Sequence, residues 1–286
     1  MSEVPVALSV PALRERLKDF RDEGERIALI PTMGALHDGH VSLITEARRH
    51  AERVVATIFV NPAQFGPSED FAKYPRTLAQ DLAKLAIAGA DLCFAPTLEA
   101  IYPPGFSTRV EVDGPARADL EDRFRPTHFC GVATVVAKLL NQAQADVAVF
   151  GEKDYQQLLV IQRLARDLDI ATEILGAPTL READGLAMSS RNVYLSKAER
   201  AAAPALHRVL SETARGIGAG EAIETTLARA SAQLTEAGFV VDYVEARHAR
   251  TLARIAVRRD GPIRLLAAAR LGATRLIDNL AVPHDP

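Results

Sequence analysis

Apolar residues recur along this chain in two alternating rhythms, and the alternation predicts its architecture. Leu13, Leu17 and Phe20 share one helical face in a segment that Ser9 and Pro11 open and Gly24 closes; a short apolar strand over 27–30 follows. The same grammar continues with a helix over about 40–50, a strand over 54–60, a helix carrying Leu78, Leu82 and Leu85 on one face and ending at Gly89, and a strand over 92–95. Val132, Val135, Val136, Leu139 and Leu140 form the next helical stripe, before a strand over 147–150, a helix with Leu158, Ile161, Ala165 and Leu168, and a strand over 170–175. Near-continuous apolar strands interleaved with amphipathic helices are what a parallel sheet covered on both faces requires. Residues 1–178 therefore predict a doubly wound α/β domain, which binds ligands beyond the carboxyl ends of its strands.

After Pro178 the rhythm changes. Two long Ala-rich helical stretches, 197–215 and 221–237, precede strands near 240–244 and 263–267, so residues 179–286 predict a smaller α+β domain. The run Gly216-Ile217-Gly218-Ala219-Gly220 has the look of a dinucleotide fingerprint, but no strand precedes it and a joint between helices is the better reading.

Size and charge narrow the partners. A chain of 286 residues favours two domains, and a formal net charge of -3 with a pI near 6.2 makes no electrostatic case for nucleic acid or an anionic membrane. The partner expected is a small molecule. The first ten residues have no basic n-region and the most apolar run, 54–60, is far too short for a bilayer, so a cytoplasmic protein is expected. Cys93 and Cys130 are too few for a disulfide framework and lack zinc-site spacing. Cys93 sits in a core-like run; Cys130 lies near the candidate chemistry, but nothing marks it as a nucleophile.

That chemistry begins where the first long strand ends. Pro31-Thr32-Met33-Gly34-Ala35-Leu36-His37-Asp38-Gly39-His40 brings two glycines and two histidines to the start of a helix, whose N-H groups and partial positive charge suit a phosphate. Gly34 and Gly39 have Walker A spacing, yet His40 and Val41 replace the lysine and hydroxyl that such a loop needs, so nucleotide would be held by another scheme. His37 and His40 also have metal-ligand spacing, but the sequence supplies no third ligand for zinc.

These ten residues stand with four further blocks: Phe59-Val60-Asn61-Pro62-Ala63-Gln64-Phe65, Tyr74-Pro75-Arg76-Thr77, Gly151-Glu152-Lys153-Asp154-Tyr155-Gln156-Gln157 and Asp184-Gly185-Leu186-Ala187-Met188-Ser189-Ser190-Arg191-Asn192. In content and order they resemble the pantoate-beta-alanine ligases, also called pantothenate synthetases, and the likeness runs on to Leu276-Ile277-Asp278-Asn279. The resemblance implies a Rossmann-like fold of nucleotidylyltransferase type. It implies ATP as co-substrate with Mg2+, and condensation of pantoate with beta-alanine through an acyl adenylate. His37-Asp38-Gly39-His40 is similar to the His-x-Gly-His signature of that wider group, and Met188-Ser189-Ser190-Arg191 to its mobile Lys/Ser loop, with Arg191 for the usual lysine. Arginine keeps the charge and grips phosphate oxygens in bidentate fashion.

By this resemblance His40, His37, Lys153 and Arg191 are catalytic. ATP is met by Met33, Gly34, Ala35, Leu36, His37, Asp38, Gly39, His40, Gly151, Glu152, Lys153, Asp154, the backbone at Leu180, Met188, Ser189, Ser190 and Arg191. Gln64 and Gln157 bind pantoate, Gln64 also lies near beta-alanine, and Asn61 and Tyr74 assist. The protein ligands of magnesium stay unassigned. A homodimer is implied, and the 179–286 domain is expected to act as a lid over the adenylate. Two positions depart from the family pattern: Ile101 stands where many relatives carry methionine, and Cys130 is at a variable site. His128 reads equally as a substrate contact or a structural histidine. Two rival functions stay open on the sequence. One is an AMP transferase acting on a phosphorylated acceptor; the other is a non-catalytic ATP- or RNA-binding regulator, for which Arg247, Arg250, Arg254, Arg258 and Arg259 would serve.

Overall fold

The computed structural model describes residues 3–66 and 71–283, and the chain divides into two compact units. One comprises Met1–Glu152 and Gln157–Pro178; the other comprises Lys153–Gln156 and Thr179–Pro286.

The first unit runs β1 (Val6–Ala7), α1 (Val10–Asp22), β2 (Ile27–Thr32), α2 (Asp38–Ala47), β3 (Arg53–Ile58), α3 (Leu78–Ala88), β4 (Leu92–Phe94), α4 (Leu98–Ile101), α5 (Glu121–Phe124), α6 (His128–Ala143), β5 (Val147–Gly151), α7 (Tyr155–Asp167), whose first two residues lie in the other unit, and β6 (Glu173–Ala177). Its six strands form one parallel sheet in the order β1-β4-β3-β2-β5-β6. The chain winds outward from β2 through β3 to β4, then returns to β5 on the other side of β2. The strand order therefore reverses between β2 and β5, and a crevice at their carboxyl ends is where such a sheet takes a ligand.

Strand alternation sorts the core into two layers. Ile27, Leu29, Val55, Ala148 and Phe150 point to the face covered by Leu13 and Leu17 of α1, by α6 and by Leu158 and Ile161 of α7. Ala28, Ile30, Val54, Ala56, Val147 and Val149 point to the opposite face, against Leu43 and Ile44 of α2 and Leu85 of α3. This is the doubly wound α/β arrangement the hydrophobic rhythm requires. The α6 stripe proves to be only part of a helix buried almost throughout, with Thr134 satisfied inside the fold by Cys130 O at 2.7 Å and Val110 N at 3.0 Å. The last strand begins at Glu173, three residues later than the apolar run suggests, because Asp169 turns the chain at φ +50° and Thr172 Oγ1 bonds Ala145 O.

The second unit contains α8 (Lys197–Ala202), α9 (Ala205–Gly218), α10 (Ile223–Glu236) and an antiparallel sheet of β7 (Val240–His248), β8 (Ile263–Leu271) and β9 (Thr274–Ala281). The continuous helix expected over 197–215 is broken at Pro204, which has no N-H to donate to the helix ladder. Gly216 and Gly218 lie inside α9, so the joint is confined to its end, where Gly220 takes φ +96°. β9 does not announce itself as a strand because Asp278 and Asn279 interrupt its apolar residues; both are buried.

Cys93 sits on β4 with no exposure, and burial pushes its thiol up to about 12. Since the thiolate is the reactive form, a buried thiol held protonated is inert at ordinary pH. Cys93 will stay unmodified when the native protein meets a thiol reagent at that pH and will react once denatured, which peptide mass mapping can check.

Candidate active site

The loop after β2 is shaped by two consecutive left-handed residues, Gly34 at φ +82° and Ala35 at φ +51°. A Cβ on Gly34 would press against Ile58 Cγ2 at 3.0 Å and Asp81 Oδ2 at 3.1 Å, so the fold itself demands this glycine. Asp81, in the first turn of α3 and 1% exposed, receives the loop: Oδ2 accepts from Ala35 N at 3.0 Å and Oδ1 from Leu36 N at 2.8 Å, while Thr77 Oγ1 donates to Oδ2 at 3.2 Å. Lys84, one turn later, donates to Leu36 O. Sequence reasoning missed Asp81, which in one dimension is an ordinary acid near a helix start.

His37 is the N-cap of α2, and the two histidines close that cap reciprocally. His37 Nδ1 accepts from Gly39 N at 3.1 Å, and His40 Nδ1 accepts from His37 N at 3.3 Å. A backbone N-H only donates, so each Nδ1 carries a lone pair and each neutral ring holds its proton on Nε2. The rings lie 4.1 Å apart, centroid to centroid, at 40°. His40 N bonds His37 O at 2.8 Å. The amides of Gly39 and His40 are thus engaged within the cap.

After β3, the turn Pro62–Gln64 is tied to α6. Asn61, 1% exposed, accepts from Tyr102 Oη at 2.7 Å and Ala63 N at 3.2 Å through Oδ1, and donates through Nδ2 to Gln64 Oε1 at 3.0 Å and Gly131 O at 3.2 Å. Asn61 thus holds the Gln64 amide through its Oε1 and ties the turn to Tyr102 and α6. With Oε1 occupied, Gln64 presents its Nε2, which reaches Met33 Sδ at 3.1 Å. His128 resolves as structural: Nδ1 donates to Gln64 O at 3.0 Å and Nε2 faces Arg125 Nη1 at 3.2 Å. Gly131 is required because a Cβ there would overlap the Ala63 carbonyl. Tyr74 is buried, edge-on to Phe65 at 6.0 Å, and packs against this turn through that ring. Ile101, fully buried, joins the core beneath α6.

Gly151 ends β5, and a Cβ on it would meet no protein atom within 4 Å. In the second unit, Lys153 Nζ lies 3.6 Å from Asp154 Oδ2. Leu180 O accepts from Met188 N at 3.1 Å, and Arg181 bridges Ala187, which makes a narrow hairpin leading to Ser189. Ser189 caps the turn Ser190–Tyr194 by accepting from Arg191 N at 3.3 Å. Asn192 ties the loop back to Glu182 Oε1 at 3.0 Å and Ala187 O at 3.1 Å. Of the five candidate RNA-binding arginines, Arg247 is buried and bonds Leu252 O, and Arg258 donates to Gly218 O.

A family model described as pantoate-beta-alanine ligase matches residues 6–281. The chain belongs to the pantoate-beta-alanine ligase family. It is 58% identical over 283 residues, 99% of this chain and 100% of the relative, to pantothenate synthetase 2 of Bradyrhizobium diazoefficiens. Identity to the Rhodopseudomonas palustris HaA2 pantothenate synthetase is 57% over 277 residues, 97% of this chain and 98% of that one. A crystal structure of the Thermus thermophilus pantothenate synthetase superposes with a TM-score of 0.92 at 46% identity, covering 98% of this chain and 99% of that chain. The Francisella tularensis pantoate-beta-alanine ligase, solved with beta-gamma ATP and beta-alanine, gives 0.82 at 32% identity over 97% of each chain. As a pantoate-beta-alanine ligase the protein condenses pantoate with beta-alanine at the expense of ATP, by way of a pantoyl adenylate, giving pantothenate, AMP and diphosphate.

Asp81→Asn puts an amide donor where two backbone donors point. It is expected to lower kcat/KM at least about tenfold through the displaced loop and to cost about 1–3 kcal/mol of stability. Steady-state kinetics and urea unfolding of the same preparation will show both effects.

Proposed function

We propose that the reciprocal histidine cap is the electrostatic centre of the adenylation half-reaction. Carboxylate is a poor acyl donor, so one pantoate carboxylate oxygen attacks the α-phosphorus of ATP and diphosphate leaves. Negative charge gathers on the α-phosphate and the departing oxygen, and preorganised donors stabilise it without reorganising. The observation that carries this reading is the pair of Nδ1 acceptor bonds, which place a proton on Nε2 of both His37 and His40. His40 donates to the reacting phosphate and His37 assists beside it. In the second half the beta-alanine amine attacks the acyl carbon and AMP departs with the former carboxylate oxygen.

Gln64 serves pantoate as a donor, since its Oε1 is held by Asn61 while its Nε2, bonded to Met33 Sδ through one N-H, has a second N-H to give a pantoate oxygen. Gln157 completes the polar side of that pocket. Lys153, Ser189, Ser190 and Arg191 hold the polyphosphate, Asp154 accepts from the ribose, and the open space at Gly151 suits close nucleotide approach. Met33, Gly34, Ala35, Leu36, Asp38, Gly39, Glu152, Leu180 and Met188 line the nucleotide site, Leu180 through its backbone. Magnesium travels with the nucleotide. Among the described residues no group of three or more His, Cys, Asp or Glu stands together.

The protein is further proposed to work in the cytoplasm as a homodimer, with the second unit acting as a lid that shields the adenylate from water. Among the described residues no helix is long and apolar enough to cross a membrane. Small-angle scattering with and without a non-hydrolysable ATP analogue tests the lid: a smaller radius of gyration on binding is expected, and an unchanged one removes closure from the mechanism.

The reaction order predicts pyrophosphate-ATP exchange that needs pantoate but not beta-alanine. Exchange driven instead by nicotinate or pantetheine phosphate would mean an AMP transferase. His40→Ala is expected to lose at least about 100-fold in this exchange, and an unchanged rate would take His40 out of the chemistry.

A further inference from the structure

The Leu276-Ile277-Asp278-Asn279 block supplies no group to the proposed chemistry, yet Asp278 and Asn279 are each only 3% exposed. Burying a carboxylate and an amide side by side is costly unless each is paired, so their partners reveal what they hold. Asp278 grips Arg181 in bidentate fashion, Oδ2 to Nη1 at 2.7 Å and Oδ1 to Nη2 at 2.9 Å. Arg181 Nη1 also reaches Gly185 O at 3.1 Å, across the turn of the hairpin that delivers Met188 and Ser189. Asn279 faces the other segment: its Nδ2 donates to Lys153 O at 2.8 Å. The amide orientation is fixed, because Arg264 Nε, which only donates, sits 2.7 Å from Oδ1. The Arg264 guanidinium in turn stacks 4.0 Å above the ring of Tyr155. Asn279 N closes the pair by donating to Asp278 Oδ1 at 2.7 Å.

We infer that Asp278 and Asn279 are positioning residues that set the backbone of both phosphate-gripping segments, Lys153–Asp154 and Met188–Arg191, from adjacent positions of β9. The inference rests on the assignment of Lys153 and Arg191 to the ATP phosphates. One rigid strand then fixes the spacing between a lysine from the β5–α7 junction and an arginine from the hairpin loop, which are far apart in sequence. A shift at either tie moves one cation relative to the other and weakens the hold on ATP, while the pantoate contacts of Gln64 and Gln157 are left alone.

Two variants test this. Asn279→Asp keeps the Arg264 contact but sets an acceptor against the Lys153 carbonyl; Arg181→Lys keeps the charge but loses the fork. Each is expected to raise KM for ATP about tenfold, with KM for pantoate changed less than about twofold and the thermal midpoint lowered only by the few degrees that one lost buried contact costs. A merely structural role would degrade both substrates together, and that result, or no change in either KM, overturns the inference. Lys153→Ala separates the two layers. If it leaves ATP binding unchanged, the phosphate assignment itself is wrong; if it weakens ATP while the two variants do not, only the positioning role falls.

Discussion

The constraint from which the rest follows is the need to satisfy the amides of a tight loop whose histidines are proposed to stabilise charge. Between Gly34 and His40 the backbone turns twice through left-handed geometry, leaving N-H groups pointing inward and away from any helix ladder. Asp81 takes two of them and the histidine rings take two more. The second arrangement has a chemical by-product: satisfying the backbone through Nδ1 selects the tautomer that carries its proton on Nε2. On the proposed reading, cap formation and donor preparation are the same event, and the loop need not choose between being stable and being reactive.

The turn after β3 follows a similar logic one strand away. Asn61 and His128 each direct one hydrogen bond at Gln64, the first to its side-chain oxygen and the second to its carbonyl, which leaves the amide nitrogen as the end that faces outward from these ties. Such support is illegible in one dimension, because a buried asparagine contacting a glutamine three residues on looks identical to one contacting a substrate. Asp81 escapes notice for the same reason. Its partners are 45 and 46 residues away, and nothing in the helix that bears it signals a distant loop.

What the sequence did disclose was periodic or contiguous. The apolar strands and the helical stripes of the first unit predicted the parallel sheet, and its switch point placed the histidine loop at a ligand-binding edge. The second unit resisted reading where polar residues were buried or a helix was interrupted. Asp278 and Asn279 masked a central part of β9, and the composition around Pro204 reads as uninterrupted helix. The motif blocks located the candidate residues, but could not separate those that face a ligand from those that hold their neighbours in place.

The contact at Gly131 carries a last implication. Helix α6 meets the Ala63 carbonyl with main chain against main chain, and no side chain lies between them to yield. The floor under Gln64 is therefore incompressible on the scale of a methyl group. On the proposed assignment of Gln64 to pantoate, tolerance for bulkier acids has to come from reshaping the walls around that glutamine, because sinking the platform on which it stands is sterically closed.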